Sequence, residues 1–417
     1  MRKIAVISVL MFLIAPASAQ EMHHHADMPE MPAEPAAPMH MSSQDSSGTA
    51  WQPASSPMEG IHTSYKDWSL MFHGFANGIY TSQGGPRGRD KLFSTSMFMA
   101  HAEKVSGPDK IGLRGMLSLD PAMGRKGYPL LLQTGETYDG IHPLIDRQHP
   151  HDLFMELSAM YTREFSDDKS GYIYFGLPGE PALGPPTFMH RFSGADNPEA
   201  PLGHHWLDST HITYGVVTLG YVWDKAKLEA SAFRGREPDE NRWDMETPGF
   251  DSYSFRLSYN PAPDWSFQAS YGHLYSPEQL EPWVEVDRYT VSAMYNKPLK
   301  DGNWQTTFAW GRNVKDPGKG TDAYLLESAV NFKKKHTVFG RFESVKKDEL
   351  FEHDDPLAGR AYRVYKVSTG YVFDFVKVKD VKFGVGGEVG VDFVPGAIKG
   401  IYDSEPVSYL VFIRAKL

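Results

Sequence analysis

The chain has 417 residues, a net charge of −10 at pH 7 and no cysteine. The missing cysteine excludes disulfides, thiolate metal sites and cysteine nucleophiles. The acidic balance argues against nucleic-acid binding, which normally leaves a basic footprint. The 21 Tyr, 24 Phe and 9 Trp favour a chain rich in strands.

The N-terminus has the pattern of a secretory signal peptide, predicted over 1–19. Two basic residues precede an apolar stretch from Ile4 to Ile14, and an A-x-A-type cleavage site follows at 17–19. The apolar stretch is shorter than the roughly 20 residues that a membrane-spanning helix needs. We therefore expect an exported protein whose mature chain starts at Gln20.

The next segment, 20–64, is rich in Pro, Ala, Ser, Met and His and lacks periodic apolar residues. This composition predicts a disordered tail. If a barrel follows the tail, we expect the tail to lie in the periplasm. Thioethers favour Cu(I), and imidazoles suit Cu(II) and other late metals. The candidate metal ligands of the tail are Met22, His23, His24, His25, Met28, Met31, Met39, His40 and Met41. The alternative is a linker in which these residues are incidental.

From Trp68 to Leu417, apolar and polar residues alternate in about sixteen short segments whose connections are alternately short and long. Lipid-facing and lumen-facing residues alternate in this way along the strands of a transmembrane barrel, whose periplasmic turns are short and outer loops long. The pattern predicts an all-β fold, an antiparallel up-and-down β-barrel over 65–417. A soluble sandwich also alternates, but it rarely sustains short and long connections through eight hairpins.

The predicted strands follow one another to the C-terminus. In chain order they cover 68–74, 92–104, 110–119, 152–165, 172–177, 212–222, 227–234, 253–259, 265–271, 289–295, 304–310, 324–332, 336–345, 362–375, 381–393 and 407–417. Two connections are unusually long, at 120–150 and 178–208. They are the expected functional mouth of the barrel.

Two features support this register. Trp68, Trp223, Trp265 and Trp304 all fall at strand ends predicted to be periplasmic, where an aromatic girdle belongs. The last strand has an apolar face that ends at Leu417 and resembles the C-terminal insertion signal of Gram-negative outer-membrane proteins. Both features indicate a location in the Gram-negative outer membrane.

Charged residues within the predicted strands fall on the polar face and should point into the lumen. They are Glu156, Arg256, Arg288, Glu327, Arg341, Glu343, Lys366 and Glu388. Because both signs are present, a strongly ion-selective pore is not predicted. The alternative is that these groups pair across the lumen and fill it.

The two long connections carry a set of His, Asp and Arg side chains that could converge at the barrel mouth. The candidates are Asp146, Arg147, His149, His151, Asp152, His190, His204, His205 and His211. Imidazole and carboxylate groups can bind Zn²⁺ or Cu²⁺. The spacing matches no strong metal motif, so a constriction held by Asp/Arg/His hydrogen bonds is the favoured interpretation.

A hydrolase is the weakest hypothesis. Ser209 lies beside Asp208 and near His211, but no G-x-S-x-G pattern surrounds it. We therefore assign no catalytic residues and do not expect an enzyme.

In organisation, a Met/His-rich segment before a C-terminal barrel resembles the copper-resistance B family of outer-membrane proteins. The resemblance implies that the tail sequesters copper and that the barrel passes or retains it. The leading hypothesis is thus a porin-like outer-membrane barrel with a role in metal, foremost copper, binding or homeostasis. The alternative is a general or solute-selective diffusion porin with an incidental tail.

The expected partners follow from this hypothesis. They are outer-membrane lipid and small solutes or metal ions, with no nucleic acid. A homo-oligomer is expected only by analogy with trimeric porins. No cofactor is required, and a copper ion is the candidate ligand.

Overall fold

The computed structural model of the protein describes residues 42–417, which form a closed antiparallel barrel of sixteen strands with segments folded inside it. The nineteen strands are β1 (Ile61–Tyr65), β2 (Trp68–Ser82), β3 (Asp90–Ser106), β4 (Asp109–Leu117), β5 (Tyr128–Thr137), β6 (Pro143–Gln148), β7 (Phe154–Ser166), β8 (Lys169–Gly176), β9 (Val216–Trp223), β10 (Ala226–Phe233), β11 (Ser252–Tyr259), β12 (Trp265–Tyr275), β13 (Glu285–Leu299), β14 (Gly302–Asp316), β15 (Gly320–Phe332), β16 (His336–Lys347), β17 (Tyr362–Val378), β18 (Val381–Phe393) and β19 (Val407–Lys416). The short helices are α1 (His204–Leu207), α2 (Lys399–Tyr402) and the 3₁₀ turns Asp120–Met123, Ser209–His211 and Gly396–Ile398. In 42–417 no helix is long and apolar enough to cross a membrane.

The wall consists of β2 to β4 and β7 to β19, and it closes where β19 pairs with β2. Tyr409 lies opposite Ser82 in this pairing. The short strand β1 pairs with the start of β2, so it continues the line of β19 along the same edge. Closure leaves the wall's edge strands paired, and this removes the template for edge-to-edge aggregation. The predicted sixteen-stranded barrel is confirmed.

The two faces of the wall have opposite chemistry. In β11, Ser254 and Arg256 are buried in the interior, whereas Phe255 and Leu257 are 50% and 46% exposed on the outside. A soluble protein would bury the apolar set, so this inverted alternation is typical of a wall that faces lipid.

The tryptophans lie together at one end of the barrel. Trp68 and Trp265 begin strands, Trp223 ends one, and Trp304 lies two residues after the start of β14. These ends are joined by short turns. These positions match the predicted aromatic girdle.

One predicted strand begins too early. The alternation from Ile212 predicts strand, but β9 starts only at Val216. Ile212 and Tyr214 are instead buried inside the barrel, where Ile212 packs in an apolar cluster with Phe188. A loop buried on all sides can alternate by chance, because no lipid face selects its residues.

The end of the predicted tail lies in the part of the chain that the structure describes. Residues 42–59, here the N-terminal segment, enter the barrel, and Ser47 to Gln52 are buried. The segment has no apolar core of its own and packs against the barrel wall instead. Side chains of the wall also donate hydrogen bonds to its backbone carbonyls. Arg114 donates to the Gly48 carbonyl at 3.0 Å, and Asn260 donates to the Gln52 carbonyl at 2.9 Å.

Both long connections contain secondary structure of their own. The first contains the β5–β6 hairpin, packed alongside the wall. The second, 177–215, here the inner loop, folds into the lumen and reaches strands far away in sequence. The Gly203 amide donates to Glu343 on β16 at 3.0 Å, and Asn197 donates to Glu388 on β18 at 3.0 Å. Together with the N-terminal segment, it fills much of the interior.

Candidate functional site

Five histidines from the two long connections meet inside the barrel. They are His149 and His151 after β6, His204 and His205 in α1, and His211 at the end of the following 3₁₀ turn. Neighbouring rings have centroids 5.2 to 6.4 Å apart. We call this set the histidine cluster. His204 is its centre, with contacts to the rings of His149, His205 and His211.

Two aspartates orient three of the rings through Nδ1. His151 Nδ1 lies 2.9 Å from the Asp120 carboxylate, and His204 Nδ1 lies 2.7 Å from the Asp208 carboxylate. His211 Nδ1 lies 2.9 Å from the backbone oxygen of Asp208. Since an acceptor at Nδ1 fixes the tautomer, the Nε2 lone pair of each ring is left free.

The fourth ring, His149, contacts the Pro150 carbonyl through Nδ1 at 3.2 Å. In each of these four rings Nε2 is buried without a hydrogen-bond partner among the described residues. Metal-ligating histidines have this arrangement, with one nitrogen held by the protein and the other open.

Asp208 ties the cluster to the barrel wall. Arg191 Nη1 is 2.6 Å from its carboxylate, and Arg191 Nε is 2.8 Å from Glu327 on β15. Burial would raise the pKa of Asp208, but Arg191 and His204 hold it well below its usual value. A charged Asp208 thus both anchors the inner loop and orients His204.

The surroundings favour the neutral form of three imidazoles of the cluster, those of His149, His204 and His211. Burial, and then the neighbouring imidazoles, bring the pKa of His149 and of His211 well below its usual value. Burial also lowers the pKa of His204, against the opposing effect of Asp208. Neutral rings can donate a lone pair, whereas imidazolium cannot.

His205 belongs to a second arrangement at the edge of the cluster. One donor atom each from His205, Glu237 and Glu278 lie within 4.8 Å of one another. Burial, and then the charge of Glu237, raises the pKa of Glu278 to about 8. Gly135 permits this packing: its φ is +118°, and a Cβ there would lie 2.4 Å from the His205 ring.

Other candidates from the two connections lie away from the cluster. Asp146 pairs with Arg87 at 2.7 Å, and Asp152 pairs with Arg242 at 3.3 Å. Arg147 donates to the Lys126 carbonyl at the rim of the barrel.

His190 also lies apart, with its ring 5.6 Å from that of His73 on β2. The structure therefore gathers five of the six candidate histidines of these connections. The candidate ligands of the tail, 22–41, lie outside the described residues.

The hydrolase arrangement is not assembled among the described residues. Ser209 Oγ accepts a hydrogen bond from Arg288 at 3.0 Å. His211 Nδ1 is engaged by the backbone of Asp208 rather than by Ser209. Ser209 is also buried inside the barrel.

The structure places all eight wall charges inside the barrel. Several are paired: Arg256 with Glu229 at 2.8 Å, and Lys366 with Glu199 of the inner loop at 2.6 Å. Arg341 contacts Glu327 at 3.2 Å. Some of these charges thus join strands of the wall, and Lys366 joins the inner loop to the wall.

Sequence reasoning missed two groups of residues. Asp120 and Glu237 act on the histidines from distant positions and carry no motif. Met71, His73, Met99 and His101 carry a signal that was overlooked, since each pair forms M-x-H on the lumen face of a predicted hairpin.

Solved structures with the same architecture are outer-membrane proteins. OmpF of Salmonella typhi, in complex with daunomycin, is 10% identical, with a TM-score of 0.54 over 86% of this chain and 100% of that chain. An anion-selective porin from Comamonas acidovorans is 13% identical, with a TM-score of 0.50 over 84% and 100%.

The chain has a porin-like fold. At these identities the similarity extends to the fold alone. No protein-family model and no curated protein matches the chain. The function of this porin-like barrel is therefore inferred from the residues that line its lumen.

Proposed function

We propose that this protein is an outer-membrane channel that binds a late transition-metal ion, foremost copper, at the histidine cluster in its lumen. The observation that carries the proposal is the set of buried Nε2 atoms on His149, His151, His204 and His211, none of which has a hydrogen-bond partner among the described residues. His149 Nε2 lies 3.5 Å from a carboxylate oxygen of Glu136. A buried polar atom without a partner costs about 1–3 kcal/mol. A metal ion bound by any of these atoms would remove that cost at that atom.

The donor set decides the class of ion. Neutral imidazoles suit Zn²⁺, Cu²⁺ and Ni²⁺, and among these divalent ions an N/O site binds Cu²⁺ most tightly. The Asp120 and Asp208 carboxylates would orient the ligands and supply negative charge nearby. These residues fit a metal that is bound or passed along as cargo, and the proposal includes no covalent chemistry.

A second candidate function is diffusion of small solutes. It is supported by the porin-like fold and by the mixed charges of the lumen wall. The N-terminal segment and the inner loop occupy the interior, however, which favours ions over bulky solutes. In this alternative, conductance would be independent of metal and of the histidine cluster.

The tail remains part of the proposal. Its Met and His residues at 22–41 would capture copper in the periplasm and raise its concentration beside the barrel. This role is separable from the cluster, since the two sets share no residue.

The test is metal binding by the full-length protein in detergent, first stripped with a chelator. We expect Zn²⁺ and Cu²⁺ to bind, and the Cu²⁺ electron paramagnetic resonance spectrum to show nitrogen ligands. His204→Gln should remove one equivalent. The control is His142→Gln, because this side chain is half exposed on the outer connection and contacts Asp139 and the Tyr138 ring, away from the cluster.

Equal binding by wild type and His204→Gln would overturn the cluster as the site. Planar-bilayer recordings decide between the two functions. The metal proposal expects conductance to change when Zn²⁺ is added to wild type but not to His204→Gln, whereas the diffusion porin expects no response in either.

A further inference from the structure

A cavity of about 120 Å³ near the short-turn end of the lumen is lined by methionine and histidine. Two inward positions on β2, Met71 and His73, face two on β3 in the antiparallel register. Met71 is opposite His101, and His73 is opposite Met99. Cross-strand neighbours of this kind have Cβ atoms about 4.5–5.5 Å apart. The wall therefore presents an alternating array of two thioethers and two imidazoles.

The inner loop contributes a methionine and a histidine on the opposite side of the cavity. Met189 and His190 line the cavity from the other side, and Met189 is only 6% exposed. His190 Nε2 is buried without a hydrogen-bond partner among the described residues. The His190 ring meets the His73 ring edge-on, with centroids 5.6 Å apart. Three thioethers and three imidazoles from the wall and the inner loop thus converge on one space, and Met58 of the N-terminal segment also lines it.

The electrostatics of the cavity permit a cation. Two cationic side chains line it, and both are compensated by carboxylates. Lys416 lies 2.9 Å from Glu59 and 3.1 Å from Asp196, and Arg114 lies 3.5 Å from Glu156. The carboxylates of Asp45 and Glu59 also belong to the lining.

Methionine often fills gaps in apolar cores, and other methionines of this barrel have that role. Met97, Met116 and Met155 are buried in an apolar cluster with Phe188, which also includes Met189 and against which Met99 packs. Met71 and Met99 differ because each is two residues from an inward histidine and faces another across the hairpin. A filler role explains neither the histidines nor the space between them.

We propose that this cavity is a Cu(I) site, held by the thioethers of Met71, Met99 and Met189 with the imidazoles of His73, His101 and His190. Soft thioethers select Cu(I) over divalent ions. The space exceeds the roughly 30 Å³ that one water molecule occupies in the liquid, so an ion fits. The site shares no residue with the histidine cluster, and therefore adds a second, softer binding site to the barrel.

The test uses Ag(I), a redox-inert ion that also prefers thioethers, titrated into the full-length protein in detergent, and Cu(I) in competition with a chromogenic chelator under anaerobic conditions. The variant is Met71→Leu/Met99→Leu/Met189→Leu, which keeps side-chain volume nearly constant. The matched control is Met97→Leu/Met116→Leu/Met155→Leu. We expect the first variant to lose one equivalent of Ag(I) and the control to lose none.

A second variant, His73→Gln/His101→Gln, keeps the proposal testable if the triple variant folds poorly, and it should weaken Cu(I) binding in the competition assay. Unchanged Ag(I) stoichiometry and Cu(I) affinity in both variants would overturn the site. Zn²⁺ binding separates this result from the histidine cluster. Loss of Ag(I) with Zn²⁺ binding intact supports the thioether site, and failure of Zn²⁺ binding in wild type rejects only the cluster.

Discussion

Arg191 and Asp208 form an ion pair inside the barrel in which the arginine side chain is fully buried, with Nη1 2.6 Å from the carboxylate. Arg191 also binds Glu327 on the wall, and Asp208 also holds His204. One pair therefore links the barrel, the inner loop and the proposed metal site. The position of the histidines depends on it more than on any local motif.

Arg191→Met should release the inner loop. The substitution leaves Asp208 buried without its arginine and Glu327 with Arg341 alone, at a cost of about 3–5 kcal/mol. We expect faster hydrogen exchange across 177–215 and loss of Zn²⁺ binding. Arg163→Met is the control, because its pair with Asp109 lies on the exposed surface and should matter little. Unchanged exchange in the inner loop would show that Arg191 is not its anchor.

Asp120→Asn should weaken metal binding without unfolding the loop. Its Oδ1 accepts the Ser96 amide at 2.8 Å, which an asparagine can still accept, but the charge beside His151 is lost. Replacing such an orienting partner typically lowers metal affinity about 10–100-fold. Zn²⁺ titration measures the effect, with Asp139→Asn, which alters the exposed partner of His142, as the control. Equal affinities in wild type and Asp120→Asn would remove Asp120 from the site.

The wall of this barrel could be predicted because lipid imposes a period of two on every strand. Phe255 and Arg256 show the result: neighbours in sequence, one faces lipid and the other the lumen. The segments inside the barrel have no such period. The N-terminal segment reads as a disordered tail because its partners, such as Glu180 for Ser47, are far away in sequence.

The candidate site could likewise be predicted only in part. Histidines on two long connections predict convergence, but nothing in the sequence separates His149, which joins the cluster, from Asp146, which pairs with Arg87 instead. That choice depends on how the two connections pack in three dimensions. The M-x-H pairs at 71–73 and 99–101 differ, since hairpin register alone would have placed them face to face.

Trp51→Ala should loosen the N-terminal segment and raise conductance. Trp51 is 7% exposed, and Lys227 Nζ lies 4.7 Å from its ring centroid. Removing a buried Trp side chain typically costs about 3–5 kcal/mol. Because this segment occupies the lumen, we expect larger single-channel conductance in planar bilayers. Trp243→Ala is the control, since Trp243 is 56% exposed. Equal conductance in wild type and Trp51→Ala would show that the segment does not limit flow.

We expect the N-terminal segment to bind the barrel interior less strongly as the pH rises, because Glu180 ionises. Ser47 and Thr187 donate to its carboxylate at 3.2 Å and 3.1 Å. Burial raises the pKa of Glu180 from 4.5 to about 7, although Arg256 on the wall opposes the shift and Glu156 adds to it. Release of the segment would expose Glu180 and return its pKa to the ordinary value.

The sign of this effect follows from the two pKa values. Below pH 4.5 the carboxyl is protonated whether the segment is docked or released, so docking has its full strength. Between pH 4.5 and about 7 only the released form ionises, and docking weakens by at most about 3 kcal/mol. Hydrogen exchange of 42–59, corrected for intrinsic rates, should therefore be faster at pH 8 than at pH 5. Glu180→Gln stays neutral and should exchange equally at both values, whereas the same pH response in both proteins would place the titrating group elsewhere.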